Sequence, residues 1–164
     1  MLSKEMEKEM NLQINKELYS AYLYLAMAAD LEAVNLTGFA KFFEAQAKEE
    51  VNHAAKFYKY INERGNRVIL DAIEKPQMEF KDVEEIFELS YKHEQYVTGR
   101  IHHLVDLAIR EKDHASKTFL DWFVSEQVEE EASMDQILQK IKMIGKAGHA
   151  LLMLDAQAGT RGSK

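Results

Sequence analysis

Apolar residues recur at spacings of three, four and seven through most of this chain, the period that gathers them on one face of an α-helix. The pattern predicts four long helices, at about Lys4 to Ala33, Thr37 to Arg64, Asp82 to Lys112 and Ala115 to Ile144, and a short fifth from about Lys146 to Ala158. Turn-forming residues stand at the breaks: Asn35 and Gly38 around the first, Gly65-Asn66 after the second helix and Gly145 after the fourth. The joins between helices one and two, and between three and four, are a few residues long and predict antiparallel neighbours. The connection from Gly65 to Lys81 is of another kind. It holds the single Pro, Pro76, and a short apolar stretch of Val68, Ile69 and Leu70, and it is long enough to run back along a whole bundle. The expectation is an all-α fold forming one domain over 1–164: a four-helix bundle at about 4–144, with one long crossover between its second and third helices, then a short C-terminal helix at about 146–158 and a frayed tail at 159–164.

Polar residues on faces that should be dry are the informative departure from this pattern. The first stripe reads Met6, Met10, Glu17, Ala21, Tyr24, Ala28, Leu31, and the second Phe39, Phe43, Gln46, Glu50, Ala54, Phe57, Ile61. The third reads Val83, Phe87, Glu94, Thr98, Ile101, Val105, Ala108, and the fourth Phe119, Phe123, Glu130, Met134, Ile137, Ile141, Ile144, with Gln127 one turn before Glu130. Each helix carries one glutamate in its seam, near its middle, so an antiparallel bundle would bring all four to one level. Buried carboxylates cannot stay ionised and unpaired. His53 follows Glu50 by three residues on the same face and completes an E-x-x-H pair. Four glutamates carry a charge of roughly −4, which two divalent ions would neutralise; hard oxygen donors with one imidazole suit iron or manganese better than copper.

Composition narrows the alternatives. The chain has 164 residues, 46% of them hydrophobic, enough for a sizeable core, and only one Pro and seven Gly. With no Cys, disulfides, zinc knuckles and thiolate-held iron–sulfur centres are excluded, so any metal must use oxygen and imidazole. A net charge of −7 argues against nucleic acid as a partner. The apolar run from Leu18 to Ala29 is too short to span a bilayer, and the opening MLSKEMEKEM lacks the apolar core of a secretory signal, so no membrane association and a cytoplasmic location are expected.

Four stretches carry a family resemblance: NKELYSAYLYL from Asn15, AKEEVNHA from Ala47, His93-Glu94, and EQVEEE from Glu126. Together with the crossover and the fifth helix, they make the chain similar to the non-haem ferritins of bacteria and archaea over essentially its whole length. The resemblance implies a ferroxidase centre in which Glu17, Glu50 and His53 hold one iron and Glu50, Glu94 and Glu130 a second, with Glu50 bridging. Gln127 would be a weak neutral ligand or hydrogen-bond partner, Tyr24 a hydrogen-bonding or one-electron redox partner, and Glu49, Glu126 and Glu129, helped by Glu130, a third iron position. The implied function is iron storage and detoxification. Fe(II) is oxidised by O2 or peroxide and deposited as Fe(III) oxide within a shell, and no haem is involved.

The general di-iron bundle carries E-x-x-H on two helices, whereas here the second is replaced by Gln127-x-x-Glu130. That substitution leaves the second iron without a histidine and predicts ready exchange. The alternatives are a di-iron peroxidase or oxidase, or a bacterioferritin-like protein. Asn52 where the latter has its haem methionine, and the absence of Cys, weigh against them. The apolar breadth of helix one points to Tyr19, Tyr22 or Leu23 meeting another chain. The resemblance implies a twenty-four-subunit homo-oligomeric shell whose four-fold axes the fifth helix would line. His102, His103, His114 and His149 read as surface or interface residues.

Overall fold

The structure, a computed structural model, describes residues 1–160; residues 161–164 of the expected frayed tail lie outside the described residues. Five α-helices follow in order: α1 Lys4–Ala33, α2 Thr37–Glu63, α3 Val83–Arg110, α4 His114–Ile144 and α5 Gly148–Gly159. Helix α3 ends two residues earlier than periodicity predicts. Three starts are capped by the side chain before them: Ser3 accepts from the Met6 amide, Asp82 from Glu85 and Asp113 from Ser116. The turn after α2 puts Gly65 at φ +73, while the turn after α3 puts Lys112 at φ +58, a left-handed position that nothing in the local sequence announces.

Ion pairs set the directions of the bundle. Arg110 at the end of α3 reaches Glu5 at the start of α1 (2.7 Å), and Arg64 after α2 reaches Asp113 before α4 (3.0 Å), so α1 runs antiparallel to α3 and α2 to α4. The crossover must therefore return along the bundle. It is fastened to α1 by two asparagines: Asn11 accepts from the Ile69 amide (2.7 Å) and donates to the Arg67 carbonyl (3.2 Å), and Asn15 donates to the Ala72 carbonyl (2.9 Å). An irregular segment needs such partners for its backbone. The fold is the expected all-α four-helix bundle with one long crossover and a short fifth helix.

The core comes in two apolar blocks. One packs Tyr24, Met27, Leu31, Phe39, Phe43, Phe87, Met134 and Ile141 beside α5; the other packs Met6, Met10, Phe57, Ile61, Ile101, Leu104 and Phe123 at the opposite end. Between them lies a layer of buried polar side chains that includes Gln13, Glu17, Gln46, Glu50, His53, Glu94, Gln127 and Glu130. Two expectations need correction. The dry face of α3 runs through Val97, Leu104 and Leu107, with Thr98 and Val105 only partly covered, because a straight helix drifts off a fixed seven-residue stripe. Of Tyr19, Tyr22 and Leu23, one of which is expected to meet another chain, Leu23 is buried within this one; Tyr22 and Leu25 are the large apolar residues of that stretch left half exposed. No helix among the described residues is long and apolar enough to cross a membrane.

Candidate metal centre

The middle of each long helix brings one glutamate into the polar layer: Glu17, Glu50, Glu94 and Glu130 are all at most 4% exposed. One turn of helix separates Glu50 from His53, and the His53 Nδ1 lies 3.6 Å from Glu50 Oε2 and 3.9 Å from Glu17 Oε2. One ligand atom from each of Glu17, Glu50 and His53 lies within 4.8 Å of the others. A second such group joins His53, Glu126 and Glu130, with His53 Nε2 3.8 Å from Glu126 Oε1. His53 thus faces both groups.

Glu94 belongs to neither tight group. Its carboxylate accepts from the Tyr24 hydroxyl and from Gln127 Nε2 (3.1 Å), which also reaches the Glu94 carbonyl (3.3 Å). Tyr24 and Gln127 are thus both brought onto the Glu94 carboxylate. Glu49 and Glu129 are exposed and Glu126 is partly covered, within electrostatic reach of one another: Glu126 raises the Glu49 carboxyl, and Glu129 that of Glu126, in each case after partial burial has raised it. His102, His103, His114 and His149 are all exposed.

Electrostatics follow from this crowding. Burial pushes Glu17 upward, and it pushes Glu50 well above the usual carboxylate range with Glu94 and Glu17 adding to the effect. Glu94 is raised to about 7 by burial, against the lowering donations of Tyr24 and Gln127. Burial and then the charge of Glu94 bring Glu130 to about 8. His53 falls to about 4 through burial and the nearby Lys56, so at neutral pH its imidazole is uncharged and has a lone pair to offer. Glu17 Oε2 is the one buried side-chain polar atom without a hydrogen-bond partner among the described residues. An orphaned carboxylate oxygen facing a neutral imidazole and a second carboxylate fits a cation better than it fits water-excluded protein.

Periodicity assigns no role to several side chains that the structure places around the cluster. Gln13 Nε2 donates to Glu17 Oε1 (2.8 Å), and Gln46 Nε2, read from the sequence only as part of a stripe, donates to Glu130 Oε2 (2.7 Å). A glutamine one turn before a seam glutamate, as at Gln13 and Gln46, was the available signal. His93 is largely buried against the Tyr24 ring edge, its Nε2 2.7 Å from Ser20 Oγ. Trp122 meets the His53 ring edge-on, and Lys56 Nζ sits 2.9 Å from the Trp122 ring centroid.

The sequence model of the ferritin-like domain family matches residues 7–144. The chain is 44% identical to a bacterial non-heme ferritin of Campylobacter jejuni over 94% of its own length and 93% of the relative's, and 41% identical to one of Staphylococcus aureus over 98% and 97%. Its fold superposes on an open pore ferritin from the hyperthermophilic archaeon Archaeoglobus fulgidus with a TM-score of 0.96 and 46% identity, covering 97% of this chain and 98% of that one.

Proposed function

The chain belongs to the ferritin-like domain family, and we propose that it is an iron-storing, non-haem ferritin that oxidises Fe(II) at an intrasubunit paired site. The observation that carries this reading is the convergence of Glu17, Glu50, Glu94, Glu130 and neutral His53 in a dry layer, with a carboxylate oxygen left unpaired. Iron is the substrate and cargo. Glu17, Glu50 and His53 hold one Fe(II), and Glu50, Glu94 and Glu130 the other, with Gln127 beside it. Binding displaces the protons that burial keeps on these carboxyls.

Each Fe(II) gives up one electron. O2 takes two of them with two protons to become hydrogen peroxide, or peroxide takes two electrons and two protons to become two waters. Fe(III), a harder acid, then passes along Glu126, Glu129 and Glu49, where we place a third position sharing Glu130, and collects as hydrated oxide. The close approach of His53 to Glu126 supports that exit. We place the mineral inside a cytoplasmic shell of twenty-four copies, for which the half-exposed Tyr22 and Leu25, with Ile69 and Leu70 on the crossover, offer apolar contact surface.

Aerobic addition of Fe(II) to the purified protein tests the proposal. A rapid rise in near-ultraviolet absorbance is expected, and Glu50→Ala and His53→Ala should each slow it by more than about tenfold. Unchanged rates in both variants would overturn the paired site.

A further inference from the structure

Two chains of hydrogen bonds lead from partly buried carboxylates into the buried cluster, and both pass through a glutamine. In the first, Arg100 on α3 pairs with Glu9 on α1 (Nη1 to Oε2, 2.9 Å) and donates from Nε to Gln13 Oε1 (3.3 Å), while Gln13 Nε2 donates to Glu17 Oε1 (2.8 Å). A guanidinium has donors and no acceptor, so it dictates which end of the Gln13 amide faces outward. In the second, Thr98 on α3 donates its one hydroxyl proton to Glu131 on α4. Its oxygen is then left to accept from Gln127 Nε2 (3.3 Å), which also donates to Glu94 Oε2 (3.1 Å).

Orientation matters because the two ends of an amide act oppositely on a carboxylate. The N–H end stabilises it; the carbonyl end, presented to an acceptor in a medium of low dielectric, repels it and turns it aside. Neither glutamine fixes its own direction. Arg100 does so for Gln13 and the Thr98–Glu131 pair for Gln127. Glu50, by contrast, receives no donation from an amide or hydroxyl among the described residues; its side-chain hydrogen bond is to the Glu17 carboxyl.

We propose that Arg100 and Thr98 are positioning residues: by locking Gln13 and Gln127 as donors they hold Glu17 and Glu94 in the orientation that binds metal, each acting on its own half of the centre. The inference rests on the paired-site reading above. It concerns ligand geometry, so its signature is a selective loss of one metal position.

Co(II) is a suitable probe, since it is visible by its absorption bands and by anomalous scattering. The assembled, metal-free wild type and the variants Arg100→Met, Thr98→Val and Thr98→Ser would be titrated with Co(II), and crystals soaked below saturation would report occupancy at each position. Loss of an outer-shell partner typically weakens metal binding by about 10–100-fold. Arg100→Met should therefore lose about tenfold or more at the position held by Glu17 and His53 alone, and Thr98→Val the same at the position held by Glu94 alone. Thr98→Ser, which keeps the hydroxyl, should stay within about twofold of wild type. Equal weakening of both positions, no weakening, or failure of serine to restore binding would overturn this inference alone. Absence of Co(II) between the helices of the wild type would overturn the paired-site reading and this inference with it.

Discussion

Glu50 carries the sharpest conflict between stability and function in the chain. Burial raises its carboxyl, Glu94 and Glu17 raise it further, and no amide or hydroxyl offsets the effect. A carboxyl raised in the folded state contributes stability in full below the ordinary value of 4.5 and loses it as pH rises through the folded value. Glu94 at about 7 and Glu130 at about 8 act in the same direction. The metal-free protein should therefore lose stability between about pH 4.5 and 8, as the unfolded chain gives up protons that the buried carboxyls still hold. Glu50→Gln removes one such titrating carboxyl. We expect the metal-free variant to unfold with more difficulty than wild type at pH 8, by about 1–3 kcal/mol, with the gap closing toward pH 4.5, while Fe(II) oxidation collapses. Chemical denaturation at the two pH values, beside an oxidation assay, checks both halves; a variant less stable than wild type at pH 8 would refute the account.

Among the elements, α2 and α4 show what the sequence discloses and what it withholds. The N-cap of α4 can be read locally: Asp113 precedes the apolar period and accepts from Ser116 (3.1 Å). Partial burial acts to raise the Asp113 carboxyl, but donations from Arg64 and Ser116 outweigh it and leave it depressed. Its stabilising effect is thus present above the ordinary value of 3.8 and is lost as pH falls through the lower, folded one. Asp113→Asn should cost about 1 kcal/mol at pH 7, measured by thermal unfolding, and the cost should shrink below pH 4.

The start of α2 could not be read this way. Thr37 invites assignment as a cap, yet the N-cap position belongs to Leu36, which makes no side-chain cap, and the Phe39 amide instead donates to Asp155 Oδ1 (2.8 Å) on α5. Gly38, which looks like a stop signal, lies inside the helix. A Cβ there would stand 1.9 Å from the Asp155 carbonyl oxygen, so the glycine exists to let α5 approach. Helical period and local caps revealed where four helices run and which glutamates they bury, because both are short-range properties of the chain. Partners distant in sequence, such as Asp155 for Phe39, Arg100 for Gln13 or Ser20 for His93, have no local signature. Gly38→Ala should detach α5, raising hydrogen exchange over 148–159 and costing about 1–3 kcal/mol, while leaving Fe(II) oxidation in the distant polar layer unchanged. Protection of α5 equal to wild type would refute that role for Gly38.

For the molecule as a whole, the bundle is two apolar blocks joined across a layer of buried acids. Each block packs aromatic against aromatic: Phe39, Phe43 and Phe87 on one side, and Phe57, Phe119 and Phe123 on the other. The layer between them adds little apolar burial, and above neutral pH its unpaired charge opposes folding. Cations that bind this layer in the folded state alone reverse the balance, since a ligand at one hundred times its Kd adds about 2.7 kcal/mol of stability. In a chain of this length that corresponds to a rise in Tm of roughly 5–10 °C. We expect calorimetry at pH 7.5 to show such a rise when Zn(II) or Co(II) is added to metal-free protein. At pH 5 protons compete for the same carboxylates, so the rise should be smaller. The Glu17→Gln, Glu50→Gln double variant discriminates between sources of the effect, because it keeps the exposed Glu49 and Glu129 and the partly covered Glu126 while taking two carboxyls out of the dry layer. Its Tm should barely respond to either ion. A shift as large as that of wild type would mean that cations stabilise the bundle without Glu17 and Glu50, from the His53, Glu126 and Glu130 group or from the surface, and that these two buried acids are held by something other than metal.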